Sequence, residues 1–324
     1  MAKRELLYLS QADVLAINLS MREIIDAIEE AFRLKGEGLI EMPPKPGIHP
    51  RRDAFIHAMP AYIRGKEAAG IKWVSGYPQN QERGLPYMNG LLILNDADTG
   101  LPICVMDCVW VTAMRTGAAT AVAAKYLARP DSRSVGILGC GVQGRTNLLA
   151  LRELFDLETV HAYDKFLDIA ERYAKEMSRE TGLAVKSVDQ PRKAVVASDI
   201  IVTAGPILLK PHATIKADWI PKGAFASPVD FDSYWSREAL ARATRFCTDD
   251  REQFHYYQTV GYFKDTPPIY AELGEIASGK KAGRESPREI NICMNLGLAM
   301  DDIAVAPLIY ERAVKRRVGT WLPL

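Results

Sequence analysis

The rhythm of hydrophobic and polar positions changes at Pro130. Before it, residues 20–36 (SMREIIDAIEEAFRLKG) place Ile24, Ile25, Ile28, Phe32 and Leu34 at helical spacing. Ser20 followed three residues later by Glu23 is the signature of a capping box, and Gly36 is the expected stop. Residues 40–53 are rich in proline, glycine and charge and are expected to form a loop. AFIHAMPAYI, AAGIKWVSGYP and GLLILNDADTG then read as short strands of an antiparallel meander, with NDADTGLP as a hairpin turn and ICVMD resuming as a strand. The alanine-rich run VWVTAMRTGAATAVAAKYLA reads as a helix that ends near Arg129–Pro130. This first part is therefore predicted to be α+β.

After Pro130, strand-like and helix-like runs alternate. SVGILGCG, TVHAYD, AVKSVD, IIVTAG, AFASPVD and RFCTD read as strands. GRTNLLALRELF, FLDIAERYAKEMSRETG (closed by Gly182) and PRKAVVASD read as the helices between the earlier ones. Such alternation implies right-handed crossovers and a parallel sheet. A last helix, MNLGLAMDDIAVAPLIYERAVKRR near 294–317, is expected to carry the chain back onto the first part. The predicted class is α/β, a Rossmann dinucleotide-binding domain over residues 130–300. Residues 1–129 and 301–324 are expected to form an α+β substrate-binding domain.

Composition narrows the functional classes. In 324 residues, 41 Lys and Arg nearly balance 40 Asp and Glu, so neither a basic nucleic-acid face nor a polybasic membrane patch is expected. The first twenty residues carry Glu5 and Asp13 and have no long apolar core, unlike a secretory signal. No run of about 18 uninterrupted apolar residues occurs, so no membrane span is expected. Cys104, Cys108, Cys140, Cys247 and Cys293 form no CxxC pair and read as reduced, mostly buried thiols of a cytoplasmic protein. Cys104 and Cys108 without supporting histidines make a poor metal site, and no metal is expected.

The stretch GILGCGVQG carries the first chemistry. Gly139, Gly141 and Gly144 fit GxGxxG at the junction of an apolar strand and a helix, with Val142 and Gln143 inside the motif. The N–H groups that open such a helix can face a pyrophosphate. Asp164 ends the next strand about 20 residues past Gly144, where an acid bonds the ribose hydroxyls and repels a 2′-phosphate. The pattern points to NAD(H), with Lys165 beside Asp164 as the one feature that softens the preference.

Several stretches together give the chain its resemblance to the ornithine cyclodeaminase and mu-crystallin family. They are GIKWVSGYPQN, LILNDADTGLPICVMD, VTAMRTGAATAVAAKYLARP, GCGVQG, AELGEIASGK and NLGLAMDDIAVAPLIYERA, in order over nearly the whole length. The resemblance implies a homodimer, NAD(H), and chemistry at a carbon–nitrogen bond of a small amino or imino acid. Members of the family include cyclodeaminases, amino-acid dehydrogenases, imine reductases and a hormone-binding protein. Lys72 matches the family's acid–base lysine, and a lysine inside IKWV is unusual on pattern alone, although a snorkelling surface lysine would give the same pattern. Arg115 matches the arginine that holds the substrate carboxylate, with Thr116 beside it as a cofactor contact. Counting from Gly223 places Asp232 at the position of the family's active aspartate, with Asp230 as the alternative counterpart. Thr203, within IIVTAG, and Asn295, where the family usually has serine, are assigned to the cofactor.

The departures cluster on the substrate side. His57 stands where cyclodeaminases carry a glutamate, and Lys45 where the family often has an arginine. SPVDFDSYW replaces a loop of glycine and proline after the fifth strand. The expected activity is hydride transfer at an α-carbon, as cyclodeaminase, dehydrogenase or imine reductase. The alternative is an accessory subunit that binds dinucleotide and ligand with little turnover. Residues 251–285 are expected to include a loop near the active-site mouth.

Overall fold

The computed structural model describes residues 4–51 and 53–324. In its first part β1 (Glu5–Leu9), α1 (Gln11–Ile17) and α2 (Met21–Gly36) precede β2 (Ile40–Glu41), β3 (Gly47–Ile48), β4 (Phe55–Ile63), β5 (Ala68–Gly76), β6 (Met88–Asp96) and β7 (Pro102–Asp107). Helix α3 (Val109–Leu127) leads into β8 (Ser134–Leu138), α4 (Val142–Leu151), β9 (Thr159–Tyr163), α5 (Leu167–Thr181), β10 (Ala184–Ser187), α6 (Pro191–Val196), β11 (Ile200–Thr203) and β12 (Phe225–Pro228). Then come α7 (Arg237–Leu240), β13 (Arg245–Thr248), α8 (Arg251–Thr259), β14 (Ala271–Glu272), α9 (Leu273–Ala277), β15 (Asn291–Met294), α10 (Ala299–Arg316) and β16 (Thr320–Pro323). The chain divides into two compact units, Met1–Arg115 with Leu298–Leu324, and Thr116–Gly297. The first boundary lies inside α3, upstream of the Pro130 at which the sequence pattern changes.

The first unit is a sheet in the order β16-β1-β7-β6-β5-β4-β2, with β3 also paired to β4. Strands β4 to β7 form the expected antiparallel meander. Helix α10 packs on β4, β5, β6 and α2. Alternation sets the two faces of β5: Lys72 and Val74 are buried, while Trp73 between them is 48% exposed. Ser20 caps α2 through the predicted box with Glu23. Gly36 is still helical, and the left-handed Gly38 makes the turn instead.

The second unit is an all-parallel sheet in the order β10-β9-β8-β11-β12-β15-β13-β14. Chain direction across the sheet reverses between β8 and β11, the switch point at which doubly wound folds bind ligands. Its aromatic core includes Phe231, Trp235, Phe246, Phe254 and Phe263.

Two expectations change, and two segments gain detail. The segment 40–53 contains the short strands β2 and β3, and ELLYL near the N-terminus is β1. The helix expected from 294 begins at Ala299, because Met294 ends the buried strand β15 and Gly297 adopts φ +76°. The segment 251–285 holds α8, β14 and α9 besides loop. These strands are too short to show a period, so pattern alone does not separate them from loop. Among the described residues, no helix is long and apolar enough to cross a membrane, and no cluster of His, Cys, Asp and Glu could hold a metal. All five cysteines are buried free thiols.

Candidate active site

In the second unit the glycine turn joins β8 to α4, and each glycine has a separate reason to be there. Gly139 has φ +105°, and a Cβ on it would lie 2.5 Å from the Ala204 carbonyl oxygen at the end of β11. A Cβ on Gly144 would lie 2.3 Å from the Gly139 carbonyl oxygen, so this glycine lets α4 sit close to the turn. A Cβ on Gly141 would meet nothing within 4 Å, and Gly141 caps α4 without any side-chain hydrogen bond. The helix thus opens on bare N–H groups with room in front of them, which fits a pyrophosphate. Val142 is exposed in the first turn, and Gln143 follows it.

Asp164 follows β9 and is tied to this turn. Its Oδ2 accepts from the Cys140 amide at 2.9 Å and its Oδ1 from the Phe166 amide at 3.2 Å. The carboxylate is therefore fixed beside the glycine turn. Lys165 is exposed, with its ammonium 5.8 Å from the centre of the Phe166 ring.

The two aspartates after β12 have different surroundings. Asp230 is buried: the Thr203 hydroxyl donates to its Oδ1 at 2.6 Å and the Gly205 amide to its Oδ2 at 3.0 Å. Burial pushes its carboxyl up to about 7, against the pull of those two hydrogen bonds. Thr203 also accepts from Trp235 Nε1 at 3.1 Å, so its hydroxyl is committed to this network. Asp232 is also buried and its carboxyl is raised by burial, but its Oδ1 has no hydrogen-bond partner among the described residues.

In the first unit, Lys72 and Arg115 meet two acids that the sequence reading passed over. Lys72 points from the face of β5 that carries Gly70, whose own Cβ would come within 3.0 Å of Ile303 on α10. The Lys72 ammonium lies 2.6 Å from Asp302 Oδ2 and 3.3 Å from the Thr112 hydroxyl, with both charged side chains fully buried. Arg115 reaches Asp301 Oδ2 through Nη1 and Asp302 Oδ1 through Nε, each at 3.3 Å. Asp301 also caps α10 by accepting from the Leu298 amide at 3.0 Å. Burial lowers the affinity of Lys72 for its proton, and neighbouring Arg115 lowers it further, while Asp302 opposes both. Burial likewise lifts Asp301 to about 6. The pair stood in plain view in the stretch AMDDIAV. Two adjacent acids opening an apolar helix are the one signal that could have drawn attention to them.

The remaining predicted residues are more scattered. His57 on β4 stacks on Phe55 with ring centres 4.3 Å apart. Burial, and then the nearby Lys45, His49 and Lys72, push its pKa down to about 3. Lys45 is half-buried between β2 and β3, and Thr116 is half-buried in α3. Asn295, just past β15, is buried; its Oδ1 accepts from Cys293 Sγ at 3.4 Å and its Nδ2 has no partner among the described residues.

Comparison with known proteins places the chain in a family. The profile of the ornithine cyclodeaminase/mu-crystallin family matches residues 5–317. An alanine dehydrogenase of Archaeoglobus fulgidus is 37% identical over 98% of both chains. The structure of Thermococcus litoralis Δ1-pyrroline-2-carboxylate reductase with NADH and L-proline is 36% identical, covers 97% of this chain and 99% of its own, and superposes with a TM-score of 0.88. An archaeal alanine dehydrogenase dimer with bound NAD is 36% identical, covers 99% and 100%, and has a TM-score of 0.89.

Proposed function

The chain belongs to the ornithine cyclodeaminase/mu-crystallin family and is an NAD(H)-dependent enzyme acting at the α-carbon of an amino or imino acid; within that activity we propose that it works as a net oxidoreductase, a dehydrogenase or imine reductase, and not as a cyclodeaminase. The observation that carries this reading is the field around His57. A cyclodeaminase acts on a diamino acid, whose second ammonium needs a negative partner in the site. His57 is a neutral imidazole at physiological pH and lies among Lys45, His49 and Lys72. His57 itself offers a second ammonium no carboxylate, and the acids of this unit nearest to Lys72, Asp301 and Asp302, are already engaged by Lys72 and Arg115, which favours a small neutral side chain or an imine ring. The relatives of 36–37% identity, which are an alanine dehydrogenase and a pyrroline-2-carboxylate reductase, support the same reading.

In this scheme the nicotinamide, when bound, supplies or accepts the hydride. The residues that would hold the cofactor are Gly139, Gly141, Val142, Gln143 and Gly144 at the pyrophosphate and Asp164 at the ribose, with Lys165, Thr116, Thr203 and Asn295 around them. Lys72 takes up or returns the proton at the substrate nitrogen, a role suited to an ammonium whose affinity for its proton is lowered by burial. The Arg115 guanidinium holds the substrate carboxylate. Asp232, with an oxygen that has no hydrogen-bond partner among the described residues, is assigned as the acid of the reaction. Asp230, with both oxygens engaged, supports the loop that carries Asp232. Lys45 and His57 shape the side-chain subsite.

The proposed assembly is a homodimer. Tyr8, Trp73 and Leu91 are exposed on the sheet face opposite Lys72, an apolar surface that suits a second copy of the chain.

The test is a panel of L-alanine, L-proline, L-ornithine and L-lysine, with pyruvate plus ammonium and Δ1-pyrroline-2-carboxylate in the reverse direction. Net NADH change and ammonia are both measured. The expected result is stoichiometric NADH change with an alanine or proline couple. Ammonia release from L-ornithine or L-lysine without net NADH would overturn the proposal.

A further inference from the structure

We propose that Asp302 is a positioning residue: a single carboxylate holds Lys72 and Arg115 at once and so fixes the orientation and the charge of the Lys72 ammonium. The inference rests on the reading of Lys72 as the proton-transfer group and goes beyond it. Lys72 and Asp302 are both fully buried, with 2.6 Å between Nζ and Oδ2. The other oxygen of the same carboxylate faces Arg115 Nε at 3.3 Å. Two cations sharing a buried site repel each other, and a buried lysine without an anion gives up its proton. Asp302 answers both problems from the first turn of α10, where the helix N-terminus favours negative charge.

The contacts of Lys72 also set a direction. An ammonium has three N–H donors. The partners of Lys72 among the described residues are Asp302 and Thr112, which leaves one donor to present to a substrate. The groups that face Lys72 are Asp301 and Asp302 from α10, Arg115 and Thr112 from α3, Cys108 just ahead of α3, and His57 from β4. Asp302 is the one that touches both cations. Asp301 touches Arg115 and the helix cap, so its removal perturbs Lys72 only through space.

The experiment follows the Lys72 Nζ resonance by NMR in the full-length protein labelled with ¹⁵N-lysine, with Lys72→Met providing the assignment. In Asp302→Asn the Lys72 titration is expected to fall by about one to three pH units, the effect of losing one close opposite charge. The limb of the kcat–pH profile governed by Lys72 should move by the same interval. In a Lys72→Met background, Asp302→Asn should cost clearly less kcat than it costs alone, since the part of its effect that runs through Lys72 is already gone. An unmoved Lys72 titration, or losses that simply multiply in the double variant, would overturn the inference. If Asp302→Asn alone does not fold, adding Lys72→Met should restore folding by removing the orphaned cation, and failure to restore it counts against the pairing. A wild-type protein with no NADH-linked turnover on any couple would defeat the proposed function, while the NMR titration still decides the role of Asp302.

Discussion

Replacing Asp230 by asparagine should change how stability depends on pH, and the structure gives the sign. Asp230 is buried, and its carboxyl is raised from 3.8 to about 7 by burial. Between those two values the folded protein keeps a proton that the unfolded chain releases. Stability therefore falls as pH rises through that window, by about 1.4 kcal/mol per pH unit where the difference is complete. Over the whole interval the loss is roughly 4 kcal/mol, complete by the time the pH has passed the folded value. Asparagine has nearly the shape of the protonated acid and does not titrate. Its amide oxygen can accept from Gly205 while its NH₂ turns toward Thr203, so the variant carries a constant offset but no such slope. The assay is urea unfolding of wild type and Asp230→Asn from pH 4 to 8 (about the range that brackets the two values), followed by intrinsic fluorescence. Buried Trp235, which donates to Thr203, lies in the same network. The variant should gain on the wild type steadily as pH rises and the difference should level off above about 7. Parallel stability curves for the two proteins would refute the reasoning, because they would mean that Asp230 is ionised in the folded state at ordinary carboxylate pH.

Further outcomes can be checked on five other variants. Lys72→Ala should lower kcat by ~10²–10⁴-fold, as read from NADH turnover. It should also destabilise the first unit by up to about 3–5 kcal/mol, because Asp302 loses its nearer cation and keeps only Arg115 at 3.3 Å. Gly141→Ala should melt like the wild type yet raise the KM for NADH by about tenfold, the equivalent of ~1.4 kcal/mol, whereas Gly139→Ala should lose ~1–3 kcal/mol of stability to its left-handed backbone and its clash with Ala204. Asp164→Ala should narrow the preference for NADH over NADPH by roughly tenfold or more, measured as a ratio of kcat/KM values. Trp73→Glu should shift the protein toward monomer in light scattering, since it puts a charge on the apolar sheet face.

Much of the fold was legible because its signals are local. The capping box of Ser20 and Glu23, the left-handed Gly182 that closes α5 and the strand–glycine–helix junction at Gly139 each depend on residues within a turn or two of one another. The short strands β2, β3, β14 and β15 were not legible, since two to four residues show no period and are stabilised only by the neighbour they pair with. At the site, Lys72 and Arg115 were found through resemblance. The pattern around Lys72 allowed a surface lysine equally well, and full burial is a property of the packed sheet and helix.

The sequence by itself determined where the chain turns, which segments bury one face, and that a helix begins on bare glycine amides with an acid about 20 residues beyond. Only the tertiary structure decided which charges share a site. Asp301 lies 186 residues from Arg115 along the chain, yet the two are 3.3 Å apart because α10 returns to the inner face of the meander. It likewise gave Asp230 both Thr203 and Gly205 as donors while leaving an oxygen of Asp232 with no hydrogen-bond partner among the described residues. Backbone conformation answers to near neighbours in sequence, whereas electrostatics and desolvation answer to neighbours in space.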